Sequence, residues 1–313
     1  MKFLVLTALL FAGPAALNAA PPERAVWVWE AESYAMLESA GKAGKAIKFL
    51  RSKGINTVYL YADAYKGRSL IESKPRLYRR LIRRLRGHGM SAYALLGSWH
   101  LRTQAYVLPE HRAEALAMFG RVLYYNAKSH PDERFDGVNL DIEPHMLDAW
   151  KADKEGLLLK FLDLGREFMA MKSRSGLRLS VGPAIPFWLD GIELEWAGRR
   201  KPASEHVLDV YDYAAVMAYR DRAAGDDGIV RHASSELAYA GSVGKRLAVG
   251  VEVTPNEVRK VSFSRLGEED LERELALAAG VFGAEPAFAG FVLHHYESYR
   301  TWLDGRGGKR KEK

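Results

Sequence analysis

The segment Phe135-Asp136-Gly137-Val138-Asn139-Leu140-Asp141-Ile142-Glu143-Pro144-His145 sets Asn139, Asp141 and Glu143 in alternation with Val138, Leu140 and Ile142. On a β-strand alternate residues share one face, about 6.5–7 Å apart, so the three polar side chains form a ladder. Burying each without a partner would cost about 1–3 kcal/mol, so stability alone does not account for such a ladder. Crowded carboxylates raise one another's pKa, and Glu143 at the upper end is expected to stay protonated near neutral pH and serve as a general acid. For Asp136 and Asn139 the competing reading is a turn and network role.

Other chemically capable side chains close other apolar runs: Trp29 and Glu30, Tyr61 and Asp63, Trp99 and His100, Pro186 and Trp188, Tyr219 and Asp221, Glu252, and His294-His295-Tyr296-Glu297. Carboxylates supply acid-base and nucleophilic groups, and flat aromatic rings stack on the apolar faces of sugars. The catalytic candidates are Glu143, Asp141, Tyr219 and Glu252. The substrate-binding candidates are Asn139, Trp29, Glu30, Trp99, His100, His145, Trp188, Asp221, His294 and Tyr296. Lys66, just past the second apolar run, is the one lysine near these positions, which disfavours Schiff-base chemistry. The histidines lack a short fixed spacing, so they are read as hydrogen-bonding groups and no metal is expected. Ser98 and Ser180 have no nucleophile-elbow motif. With no Cys in 313 residues, disulfides, thiolate metal sites, iron–sulfur clusters and thiol nucleophiles are excluded.

These side chains need a frame that gathers the ends of many runs. Eight short runs recur, at 25–30, 55–63, 91–100, 135–143, 177–185, 212–220, 247–254 and 287–297. Most are near-continuous apolar stretches, as parallel strands covered on both faces require. The segments between them carry helical period: Leu77, Leu81 and Leu85 follow Pro75, and Leu271, Leu275 and Ala279 precede the last run. Gly54, Gly87 or Gly89, Gly176 and Gly244 stand before strands, where helix C-caps are expected. Eight alternating units predict a single (β/α)8 TIM barrel, whose active site gathers at the C-terminal strand ends. A doubly wound nucleotide-binding sheet would need a glycine-rich turn after its first strand; Glu30-Ala31-Glu32-Ser33 has none, and no cofactor is expected.

Met1-Lys2, the apolar stretch Phe3–Ala12 and the small residues up to Ala20 predict a signal peptide cleaved near Ala19. The expected organisation is a leader over 1–19, a barrel over 20–305 and a basic disordered tail over 306–313, in a monomer secreted or exported to the bacterial periplasm. No other run approaches the roughly 18 apolar residues that span a membrane. The net charge of +7 misleads: Lys2 carries one unit and the tail a net four. Arg76, Arg79, Arg80, Arg83, Arg84 and Arg86 carry six more on one outer helix, read as a solvated face or a point of attraction to anionic surfaces. The remainder is acidic, so a carbohydrate and not a nucleic acid is the expected partner.

Asp136-Gly137-x-Asn139-x-Asp141-x-Glu143 resembles the strand-four signature of family 18 glycoside hydrolases, the chitinases and endo-β-N-acetylglucosaminidases. Val216-Met217-Ala218-Tyr219 is similar to that family's Met-x-Tyr motif. The resemblance implies Glu143 as the acid that protonates the glycosidic oxygen. It implies Asp141 as the group that orients the substrate's acetamido arm, whose carbonyl is the nucleophile, and Tyr219 as its hydrogen-bond partner. Asn139 stands for the family's Asp, His294 for its floor Trp and Arg220 for a common Asp, which together imply a divergent member with altered specificity. Two alternatives stay open: a retaining glycosidase with Glu143 as acid/base and Glu252 as nucleophile, and a non-catalytic glycan-binding barrel.

Overall fold

The computed structural model describes residues 22–309. Its elements in chain order are β1 (Glu23–Val28), α1 (Glu30–Glu38), α2 (Ala40–Ser52), β2 (Thr57–Tyr61), α3 (Leu70–Ser73), α4 (Pro75–Arg86), β3 (Ser91–Leu96), α5 (Arg112–Ala127), β4 (Gly137–Leu140), α6 (Lys154–Ser175), β5 (Ser180–Pro186), β6 (Glu193–Trp196), β7 (Arg199–Pro202), α7 (Ala203–Val210), β8 (Tyr213–Met217), α8 (Ile229–Ser242), β9 (Arg246–Glu252), α9 (Glu268–Phe282), β10 (Phe288–His294) and α10 (Tyr296–Lys309). Eight parallel strands close in the order β1-β10-β9-β8-β5-β4-β3-β2, a single (β/α)8 barrel. The expected leader and the residues from 310 onward lie outside the described residues; α10 itself runs to Lys309.

Each of the eight apolar runs holds one barrel strand. Parallel strands bury both faces, and β2, β4 and β8 show it: nearly every residue in them is buried. Outside, the strands pack on the helix ring through one continuous apolar layer that includes Leu81, Ile82 and Leu85 of α4 and Leu271 and Leu275 of α9. Pro75 opens α4, where its missing N–H costs nothing. Gly176 caps α6 at φ +65°, a left-handed backbone that any Cβ would strain. Inside the barrel, Ala25, Ala184, Ala215, Ala248 and Ala289 leave room for a few large rings, Trp27 and Tyr59 among them. Small and large residues thus share the interior volume.

The antiparallel hairpin β6–β7, inserted before α7, is an addition to the expected scheme. The ladder segment also differs from expectation. β4 ends at Leu140, and Asp141 and Glu143 lie on the loop beyond it. The Asp141 N–H still donates to Leu96 O at 2.6 Å. Pro144 has no N–H to continue a ladder, and the chain turns there into a 3₁₀ turn over Pro144–Met146.

One buried acid lies away from the barrel mouth. Glu236 of α8 is 1% exposed, its Oε2 accepts from Ser235 Oγ at 3.0 Å, and its Oε1 has no partner. Burial, with Asp190 adding to it, raises its pKa to about 7 from 4.5. The folded state therefore holds this proton more tightly than the unfolded chain does. The resulting stability is complete below pH 4.5 and is lost as pH rises through about 7, a swing of about 3 kcal/mol. Glu236→Gln is expected to flatten that dependence, so that urea unfolding at pH 5 and at pH 8 gives closer stabilities than in the wild type.

Candidate active site

The ladder begins below the mouth. Asn139, fully buried on β4, accepts the indole N–H of Trp27 at 2.8 Å and turns its amide toward Gly182 O and Tyr213 Oη, each at 3.4 Å. Tyr213 Oη in turn donates to Val138 O at 3.0 Å. Asn139 is thus the hub of a network that spans the barrel interior, and it lies beneath the cleft. An aspartate here would bury a charge with no cation beside it and lose the amide donors. Asn139→Asp is expected to destabilise the protein by roughly 1–3 kcal/mol, read as a lower thermal midpoint.

One turn higher, Gly97 at the end of β3 lets the chain pass Asp141: a Cβ at Gly97 would meet Asp141 O at 2.2 Å, and its φ of +135° suits glycine alone. Above β3 and β4 opens a cleft of about 230 Å³, lined by Trp29, Glu30, Trp99, His100, Asp141, Glu143 and His294, with Ser98, Thr103, Gln104 and Met146. Trp99 stands 65% exposed at its rim. Glu30 accepts from Ser98 Oγ at 2.5 Å.

The cleft's electrostatics follow from this crowding. Burial, then the nearby charges of Glu143 and Glu30, push the Asp141 carboxyl well above the usual range. Burial also raises Glu143, with His294 pulling it partly back. His145 Nε2 lies 3.5 Å from Glu143 Oε1, and burial lowers the pKa of its imidazole, which favours the neutral form. The His145 ring meets Trp188 edge-on at 5.2 Å, and Trp150 completes an aromatic wall on this side.

Glu252 sits at the end of β9, 7% exposed, with both oxygens engaged. Oε1 accepts the Thr254 N–H at 2.6 Å and Oε2 faces His294 Nδ1 at 2.8 Å. Burial raises this carboxyl, but the His294 and Thr254 hydrogen bonds outweigh burial and leave its pKa below the ordinary value. The Trp29 indole N–H, which can only donate, points at His294 Nε2 at 3.2 Å. The hydrogen bond to Glu252 is therefore donated by the Nδ1–H of His294. The relay Trp29–His294–Glu252 fixes the floor of the cleft. Tyr219 lies against it, 5.8 Å from the His294 ring. Burial, and the neighbouring Glu252, Asp141 and Glu143 carboxylates, hold its phenol in the neutral donor form.

The mouth therefore brings together Trp29, Glu30, Trp99, His100, Asp141, Glu143 and His294, with Tyr219 and Glu252 at the floor and His145 and Trp188 alongside. Tyr296 is not among them: it begins α10 and is buried against Phe49 of α2, in the outer layer. Asp221 is half-buried, and its N–H donates to Lys260 O at 2.9 Å outside the cleft lining. Sequence reasoning missed Ser98, Thr103, Gln104 and Met146, although Ser98 adjoins Trp99-His100. It also missed a clamp around Asp227, whose carboxylate takes Arg220 at 2.6 Å, His232 at 2.7 Å and Lys260 at 2.6 Å. Arg220 also donates to Tyr219 O at 2.8 Å, so the clamp holds the loop that carries Tyr219. Among the described residues no cluster of His, Asp and Glu is arranged to hold a metal ion, and no helix is long and apolar enough to cross a membrane.

No family model matches the chain, and no curated protein matches it in sequence. In backbone it is similar to a GH18 chitinase from Cycas revoluta solved in complex with (GlcNAc)4, with a TM-score of 0.51, 13% identity, and coverage of 88% of this chain and 95% of that one. It is similar as well to a β-glucuronidase from Bacteroides uniformis, with a TM-score of 0.51, 11% identity, and coverage of 82% of this chain and 28% of that one. At such identities the likeness is one of fold: the chain is a (β/α)8 barrel whose backbone resembles the matched parts of these two structures.

Proposed function

We propose that the protein is a divergent family 18-like glycoside hydrolase, exported behind the leader at 1–19, that cleaves an N-acetylhexosamine-containing glycan by substrate-assisted catalysis. The observation that carries this reading is the Asp141–Glu143 pair, whose carboxyls burial raises above their ordinary range in a cleft walled by Trp29 and Trp99. The fold shared with chitinases supports it. Glu143 gives its proton to the glycosidic oxygen, the C1–O bond breaks, and the leaving sugar departs as an alcohol. The substrate's acetamido carbonyl closes on C1, oriented by Asp141 and by the Tyr219 hydroxyl. The Glu143 carboxylate then takes a proton from the water that opens the cyclic intermediate, and the configuration at C1 is retained. Trp29, Trp99, His100, His145, Trp188 and Glu30 are the groups we assign to sugar binding.

Glu252 is the nucleophile in the competing two-carboxylate route, which needs a free oxygen aimed at C1. Both of its oxygens are taken by Thr254 and His294, which favours an anchoring role. Glu252→Gln keeps an acceptor for His294 and is expected to retain turnover within about tenfold of wild type, the loss of a hydrogen bond's worth of positioning, with no rescue by azide. Collapse of turnover with azide rescue would instead make Glu252 the nucleophile.

A further inference from the structure

The six arginines of α4 divide into two sets. Arg79, Arg83 and Arg86 turn toward the segment after α5: Arg83 pairs with Asp132 and Glu133, Arg86 with Asp136 at 2.6 Å, and Arg79 reaches Ser129 and Lys128 O. These three staple the helix to the barrel. On the other flank Arg80 donates to Leu37 O and Arg84 to Ala40 O, bonds that leave their charge uncompensated, and Arg76 is exposed. The facing helix α2 adds Lys45, Lys48 and Arg51, all exposed, and neither helix contains an Asp or Glu. Between them runs a groove of about 500 Å³, lined by Gly44, Ile47, Lys48, Arg51, Ser52, Arg84 and His88. No carboxylate lines it, so among the described residues its charge has no counterpart in the groove.

The chemistry of the groove selects its occupant. The groove itself is lined by Lys48 and Arg51, about one turn apart on α2, and by Arg84 on α4, while Lys45, Arg76 and Arg80 extend the positive surface beyond it. That arrangement suits a linear polyanion with regularly repeated charges. His88 is the one ring that lines the groove, too few for successive bases to stack on, which sets single-stranded nucleic acid apart. Its one apolar side chain, Ile47, is 3% exposed, so nothing is offered for insertion into a bilayer. In a (β/α)8 barrel the helices run opposite to the strands, so the C-terminal ends of α2 and α4 lie at the far end from the cleft.

We propose that the groove between α2 and α4 binds a linear phosphate polymer without bases and tethers the barrel to it, leaving the cleft free. The site is independent of the chemistry at Glu143. The test titrates the full chain into fluorescently labelled long-chain inorganic polyphosphate between about 50 and 200 mM salt, following anisotropy. Wild type is expected to bind with an affinity that falls steeply with salt. The Lys48→Glu/Arg51→Glu variant is expected to bind at least tenfold more weakly, with a salt slope smaller by about one to two and an unchanged thermal midpoint. Equal binding by the variant would place the affinity elsewhere on the chain and overturn the proposal. So would no binding by wild type at the lower salt, or tighter binding to an oligodeoxynucleotide of matched charge or to phosphatidylglycerol vesicles than to polyphosphate.

Discussion

Glu143→Gln is expected to lower kcat on a cleaved glycan by at least 10²–10⁴-fold, the range that a positioned general acid contributes, while leaving substrate binding and the thermal midpoint close to wild type. The amide matches the acid in size and keeps its hydrogen-bonding capacity, but it has no proton to give. Glu143 is half-buried beside Asp141, and burial holds its carboxyl above the ordinary value. A general acid works in its protonated form, so raising its pKa carries activity to higher pH than an ordinary Glu would allow. The variant should lose the alkaline limb of the wild-type pH profile along with the rate, as read from initial rates across pH 4–9 at matched enzyme concentration. An unchanged rate would remove Glu143 from the mechanism.

The second large effect is at Asp141. Its carboxyl lies between Glu143 and Glu30, and both push its pKa up beyond what burial does. Asp141→Asn is expected to cost about 10²–10³-fold in kcat, the scale for loss of one preorganised polar contact to the reacting group. A merely structural Asp141 would give a lower thermal midpoint with kcat unchanged per folded molecule. The two readouts together separate a positioning role from a packing role.

The barrel was legible because parallel strands covered on both faces read as apolar runs whatever lies between them; 57–61 and 213–217 are such runs. The hairpin β6–β7 was not, since Glu193-Leu194-Glu195-Trp196 is four residues long and half charged. Glu143 and Asp141 stood out because carboxylates spaced two apart among apolar residues are costly without a purpose. The relay below them could not be read: Trp29 and His294 are 265 residues apart, His294 and Glu252 are 42 apart, and only barrel closure makes them neighbours. Tyr296 illustrates a boundary effect. The strand ends at His294 and α10 begins two residues later, so a ring expected at the mouth packs outward on Phe49. The arginine run reads as one charged face in sequence, whereas three of its members are consumed by carboxylates and carbonyls brought in after α5.

The central claim is that Glu143 drives cleavage of an N-acetylhexosamine glycan. It is tested most directly by following products by ¹H NMR when wild type and Glu143→Gln are offered chitin oligomers, peptidoglycan glycan strands and neutral β-glucans. New reducing ends are expected from an acetamido-bearing glycan, formed first with the anomeric configuration of the bond that was cut, and none from the variant. Products indistinguishable between wild type and variant on every substrate, or glycan binding without any product, would contradict it.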